Sequence, residues 1–338
     1  MPGWNLKEGR LTTDNVSTDE YWSLMNYVFS DYCKKTNTYK FGLMKSLCDQ
    51  IYDLVWDDTV MGYPLSYENI FRKFAENYWN LVNKYELKQM AYNGKSELSK
   101  IEMILKEAAK TYDIPSDVSF QELRDIERAE IVRVVTTECK KCVVGALYND
   151  FEGKLYSFDL RAEGIVLGKC AYDFISKYKL EIEKMNYYAW ARFLEKVNDD
   201  VVLVRVLEKL DLSTPKRKDL SVYREILFKE FQEDKCFYCG KMLKDKIHVD
   251  HFIPWSFIKT DNLWNLVLAC PRCNIKKSGN LVNIDYVIKL GNMNSYRMKH
   301  SREQLVLKEY STYKKETLER IWVYAKMSGI RQTDRLSF

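Results

Sequence analysis

Residues able to do chemistry crowd into one stretch of this chain, between positions 236 and 277. Cys236-Phe-Tyr-Cys239 and Cys270-Pro-Arg-Cys273 are two C-x2-C pairs with thirty residues between them. Each pair can turn the backbone so that both thiolates reach one ion. Four thiolates complete the tetrahedral shell of Zn²⁺ and leave no position for substrate. The spacing therefore predicts a structural zinc on Cys236, Cys239, Cys270 and Cys273, since four unrelated cysteines would reproduce both spacings only by coincidence. The pairs lie further apart than in a common zinc ribbon, so a folded element must sit between them.

That intervening segment reads Ile247-His-Val-Asp-His-Phe-Ile-Pro-Trp255, a polar loop, then Asn265-Leu-Val-Leu-Ala269. Both flanks have the texture of short strands, and Pro254 closes the first. Arg272-Cys-Asn-Ile-Lys-Lys-Ser278 opens a helix directly out of the second cysteine pair. The order is strand, loop, strand, helix, pinned at its base by zinc. Of the three histidines in the chain, His248, His251 and His300, two fall here beside Asp250. A lone histidine is most often a satisfied core residue; two within four positions, next to a carboxylate, point to acid–base or metal chemistry.

Asp250-His251, Asn265-Leu266 and Cys270-Pro-Arg-Cys-Asn-Ile-Lys-Lys277 together resemble the HNH endonuclease family, whose shared element is the ββα-metal fold. The resemblance covers about residues 230–285 and says nothing of residues 1–220. It implies that His251 activates water as general base. Asp250 and Asn274 would hold a single catalytic Mg²⁺ or Mn²⁺, and Asn265 would brace the loop and orient the base. One carboxylate and one amide oxygen suit a hard cation that keeps several waters. An imidazole with an ordinary pKa near ~6.5 suits a base for water at neutral pH. Adjacent strand residues point to opposite faces, so the chain should bend at His251 for Asp250 and His251 to serve one phosphate. His248 could add a metal or phosphate contact, although packing on the hairpin is the favoured role. Lys277, on the helical face of Asn274, could meet a backbone phosphate; Lys276 and Arg272 are weighed evenly between that role and a solvated surface.

The elements that must position these residues are mainly α-helical. Hydrophobic residues make up 46% and charged residues 30%, while Gly and Pro number only 13 and 6, too few for a turn-rich fold. Apolar spacing predicts helices over 18–33, 41–61 and 66–88, one capped by Ser96 and running through Tyr112, and one over 120–135 opened by a Ser119–Glu122 capping box. Residues 143–170 hold four glycines and an apolar–polar alternation, the signature of a hairpin between helices. Helical texture returns over 171–212, and Ser213 to Asp219, with a proline and a basic run, reads as a linker. The expected organisation is thus a helical recognition, regulatory or assembly domain (1–220), the nuclease module (221–285) and a basic helical extension (286–338).

Cys139-Lys-Lys-Cys142 has no second pair to complete a metal site and reads as one buried helical stripe. The net charge is +5, with the basic excess late in the chain, where residues 286–338 carry 11 Lys and Arg against 5 Asp and Glu. No apolar run is long enough to span a bilayer and no secretory signal opens the chain, so a cytoplasmic location without membrane attachment is expected, with the cysteines as thiols or metal ligands. The reading is a phosphodiester hydrolase acting on nucleic acid, DNA before RNA, in restriction or anti-phage defence, where a separate ATPase or sensor could be a partner. The competing reading is a non-catalytic zinc module that binds nucleic acid or protein within a larger complex.

Overall fold

The structure, a computed structural model, describes residues 5–92, 94, 96–212, 219–244, 246–311, 313–333 and 336. The chain divides into two compact units, 1–216 and 217–338, both mainly helical. The linker expected at 213–219 falls almost wholly on residues 213–218, outside the described ones.

The first unit runs β1 (Glu8–Gly9), α1 (Thr18–Phe29), α2 (Tyr39–Gln50), β2 (Tyr63–Ser66), α3 (Tyr67–Asn83), α4 (Lys100–Thr111), α5 (Asp125–Asp150), β3 (Tyr156–Asp159), β4 (Gly164–Leu167), α6 (Lys169–Val197), α7 (Asp200–Leu203) and α8 (Val206–Leu212). The interruption expected at 143–170 is the β3–β4 hairpin, part of an antiparallel sheet of order β1-β3-β4-β2. Gly164 pairs with Ser66 there, and any Cβ at 164 would overlap the Leu65 carbonyl. Helix α2 is buried on nearly every side, packed by α3, α5 and α6. It carries Lys45 and Asp49 into the core, where the two pair one turn apart. Glu183 stands 3.5 Å from Lys45 and 3.0 Å from Lys179, and Asn77 donates to Asp49 at 3.1 Å. Burial opposes the charge on Asp49, but Lys45, Lys73 and Lys179 outweigh it and hold the carboxyl below its usual range.

The helices expected over 18–33 and 66–88 end early, at Phe29 and Asn83, and three further boundaries differ from the sequence expectation for a local reason. The helix predicted over 41–61 stops at Gln50, tightens into a 3₁₀ turn at Ile51–Asp53 and becomes extended at Leu54. The cap of α4 is Ser99, not Ser96, because only Ser99 has a glutamate three residues on, and its N–H donates to Glu102 at 2.7 Å. The Ser119–Glu122 box closes a 3₁₀ turn alone. Helix α5 opens instead at Arg124, whose N–H donates to Glu127 at 2.9 Å, and runs on to Asp150. Within α5 Cys139 is buried but Cys142 is exposed, so the two do not form one buried stripe.

The second unit runs α9 (Ser221–Glu225), a π turn at Ile226–Glu230, the first cysteine pair, β5 (His248–His251), α10 (Trp255–Ile258), a 3₁₀ turn at Leu263–Asn265, β6 (Leu266–Ala269), α11 (Pro271–Lys277), α12 (Asp285–His300), α13 (Gln304–Tyr310) and α14 (Lys315–Met327). Strands β5 and β6 pair antiparallel, His248 opposite Ala269 and His251 opposite Leu266. Pro271, at the first helical position, starts α11 where a missing N–H costs nothing. The basic C-terminal extension belongs to this core. Arg297 of α12 is fully buried, forks onto Glu233 at 2.7 and 2.8 Å and donates to the Leu266 carbonyl. Asn294 donates to the Trp264 carbonyl at 2.7 Å, and Glu309 of α13 accepts from the Leu263 N–H at 3.1 Å. These helices therefore buttress the turn that delivers Asn265.

Candidate metal centre and acid–base face

The four sulfurs of Cys236, Cys239, Cys270 and Cys273 lie within 4.8 Å of one another. The first pair is shaped by a turn in which Cys236 donates to the Lys241 carbonyl and Gly240 to that of Cys236, both at 2.8 Å, with Gly240 at φ +69°. That left-handed conformation favours glycine. The second pair sits at the start of α11, with Cys270 as its cap. Burial raises the Cys236 and Cys273 thiols. At Cys239 burial is outweighed by the Lys241 N–H and the neighbouring thiols, which bring it below the usual thiol value. Four converging sulfurs with no oxygen donor fit Zn²⁺ in a closed, structural site.

From that staple β5 carries His248 and Asp250 on one face, and α11 lies against it. Asn274 donates from Nδ2 to His248 Nδ1 at 2.8 Å. One helical turn on, Lys277 stands 3.0 Å from Asp250 Oδ2 and donates to the His251 carbonyl at 2.7 Å. The Tyr238 hydroxyl, from inside the first cysteine pair, also donates to Asp250 Oδ2. Burial, reinforced by Asp250, pushes the Tyr238 phenol far up, so it remains a donor. Both bonds to Asp250 fall on Oδ2, and Asn274 spends its Nδ2 on His248; Oδ1 of each is the oxygen that suits a hard cation.

Strand β5 ends at His251, and the chain turns through Phe252 and Ile253 to Pro254. Asn265 grips this turn from both sides, accepting from the Ile253 N–H at 2.8 Å and donating to its carbonyl at 3.0 Å. His251 leaves the face of Asp250 and directs Nε2 to Asp261 Oδ1 at 2.8 Å.

One expected contact is corrected. Lys277 is buried and held inside the module, so it does not reach out to a backbone phosphate. The face it shares with Asn274 is the one pressed on β5. Arg272 is exposed and Lys276 half-buried. Two residues enter that the sequence reading passed over. Tyr238 could have been noticed as a hydroxyl fixed within a metal knuckle. Asp261 carries no local signal, since it lies ten positions beyond His251 in a loop without periodicity.

A zinc-stapled hairpin and helix with a histidine ending its first strand is a ββα-metal module. Residues 236–280 match the family model of the HNH endonuclease, so the chain carries an HNH domain over that segment. No curated protein and no solved structure matches the chain. The HNH domain gives the chain a nuclease or nucleic-acid-binding role in general terms, and its four cysteines give it a metal site. Among the described residues no helix is long and apolar enough to cross a membrane.

Proposed function

We propose that the protein is a metal-dependent HNH endonuclease that hydrolyses phosphodiester bonds, DNA before RNA. The observation that carries this reading is the family match on 236–280 together with the four-cysteine cluster at the base of the β5–β6 hairpin and α11. His251 takes the proton of the attacking water. Asn265 holds the turn beneath it, and Lys277 fixes the His251 carbonyl. Asp250 and Asn274 are the residues that would hold a catalytic Mg²⁺ or Mn²⁺, which when bound supplies charge compensation at the scissile phosphate. Arg272 and Lys276 are candidate backbone contacts. On analogy alone the reading extends to a cytoplasmic restriction or anti-phage effector, with residues 1–220 for recognition, regulation or assembly and a separate ATPase or sensor as partner class.

A second reading has a specific observation in its favour. Tyr238 and Lys277 already satisfy one oxygen of Asp250, as they would in a non-catalytic zinc module that only binds nucleic acid or protein. Incubating the purified protein with supercoiled, linear and single-stranded DNA and with RNA, in Mg²⁺, Mn²⁺ or EDTA, separates the two. The hydrolytic reading expects cation-dependent cleavage of at least one substrate; binding without cleavage in every condition favours the module.

A further inference from the structure

Asp261 and His251 are brought together across a loop built to hold them. The two side chains are only 11% and 7% exposed and meet at 2.8 Å. Lys259, just before Asp261, adopts φ +62°, a left-handed conformation that non-glycine residues rarely take unless their surroundings enforce it. Just after Asp261, the Leu263 N–H is anchored on Glu309, and Asn265 is locked to Ile253. The loop is thus pinned on both sides of the aspartate. A carboxylate accepts only, so Nε2 must carry the hydrogen; a neutral imidazole has one N–H, which leaves Nδ1 with its lone pair. Lys277, bonded to the carbonyl of the same histidine, steadies the backbone from which the ring projects.

We propose that Asp261 is a positioning residue for His251, holding its ring as the Nε2–H tautomer with Nδ1 as the proton-accepting atom, an inference that rests on the hydrolytic reading above. As Nδ1 takes a proton from water, the Asp261 carboxylate bonded to Nε2–H faces the imidazolium that results and stabilises it.

The test uses the full zinc-loaded chain with ¹⁵N-labelled histidine, free of other divalent cations, and His251→Gln to assign the resonance. Long-range ¹H–¹⁵N correlations of neutral His251 should show Nε2 protonated and Nδ1 bare in the wild type. In Asp261→Asn, whose amide can turn a donor towards Nε2, the tautomer should shift towards Nδ1–H. Cleavage by Asp261→Asn should fall about 10- to 100-fold in kcat with KM nearly unchanged, the size typical when a supporting partner is lost. A wild-type ring protonated at Nδ1 overturns the proposal. So does an active wild type whose Asp261→Asn variant keeps both tautomer and kcat, and the hydrolytic reading then stands without it. A wild type that cleaves nothing but shows the Nε2–H tautomer overturns the hydrolytic reading and the catalytic role of the pair, while its geometry is upheld.

Discussion

Each unit of this protein buries charge, and the two do so differently. In the first, Lys45, Asp49, Lys179 and Glu183 form a closed network, every side chain at most 5% exposed and all on helices. In the second, Asp250, His251 and Asp261 stay about a tenth open, at a strand end and in a loop. The first arrangement only specifies packing: each charge is satisfied by a neighbour and none reaches solvent. The second is buried almost as deeply, but its members sit at a strand end and in a loop, each held by a named partner. Burial of ionisable groups therefore does not mark a site here. What sets the second group apart is its place beside the cysteine cluster, within the HNH segment.

The strongest way to break this contrast is to remove the staple. Cys270→Ser should abolish bound zinc and unfold the hairpin and helix, because structural zinc contributes about 10–16 kcal/mol in small metal-folded domains. Hydrogen exchange should then show β5 and β6 amides unprotected while those of α2 and α3 keep their protection. Protected β5 amides in a zinc-free protein would mean that α12 and α13, through Arg297 and Asn294, support the turn by themselves.

Opening the closed network has the next largest effect. Lys45→Ala leaves Asp49 and Glu183 short of a buried cation and should cost about 3–5 kcal/mol, read as a lowered denaturation midpoint with zinc content unchanged. Lys45→Met, which keeps volume while removing one charge, separates lost packing from lost pairing: if it unfolds the unit as severely as alanine, charge balance rather than cavity formation carries the cost.

The smallest effect sharpens the assignment of the basic residues. Arg272→Ala should reduce the dependence of nucleic-acid affinity on salt by about one phosphate's worth, a slope change near ~0.9. Lys277→Met should leave that slope unchanged and lower the stability of the second unit instead. A slope change for Lys277→Met would show that the Asp250 pair opens on binding.

How much of this was legible in the sequence depended on the range over which the physics acts. The paired cysteines, the Asp250-His251 dipeptide and the turn back to Asn265 announce themselves because spacing and residue type are local. The hairpin at β3–β4 was visible in its glycines, and the helical class in the scarcity of Gly and Pro. Helix ends were less legible: Ser96 and Ser99 are equivalent until Glu102 closes a box with one of them. The direction of Lys277 was hidden because a lysine after a catalytic-type asparagine looks solvent-facing until the strand beneath α11 is laid down. Asp261 was out of reach, since only the fold of the loop carries it to the imidazole. The ion network around Lys45 was unreadable for the same reason: its members come from α2 and α6, more than a hundred residues apart.

The central claim is that His251 is the base, acting independently of the zinc shell. The most direct test is a cleavage time course for wild type, His251→Ala, Asp250→Ala and Asn274→Ala across a Mg²⁺ and Mn²⁺ titration, with zinc content and binding in EDTA measured on the same preparations. His251→Ala should lose ~10²–10⁴ in rate, keep its zinc and its binding, and gain nothing from added cation. Asp250→Ala and Asn274→Ala should recover part of theirs. Cleavage by His251→Ala at the wild-type rate would contradict the account.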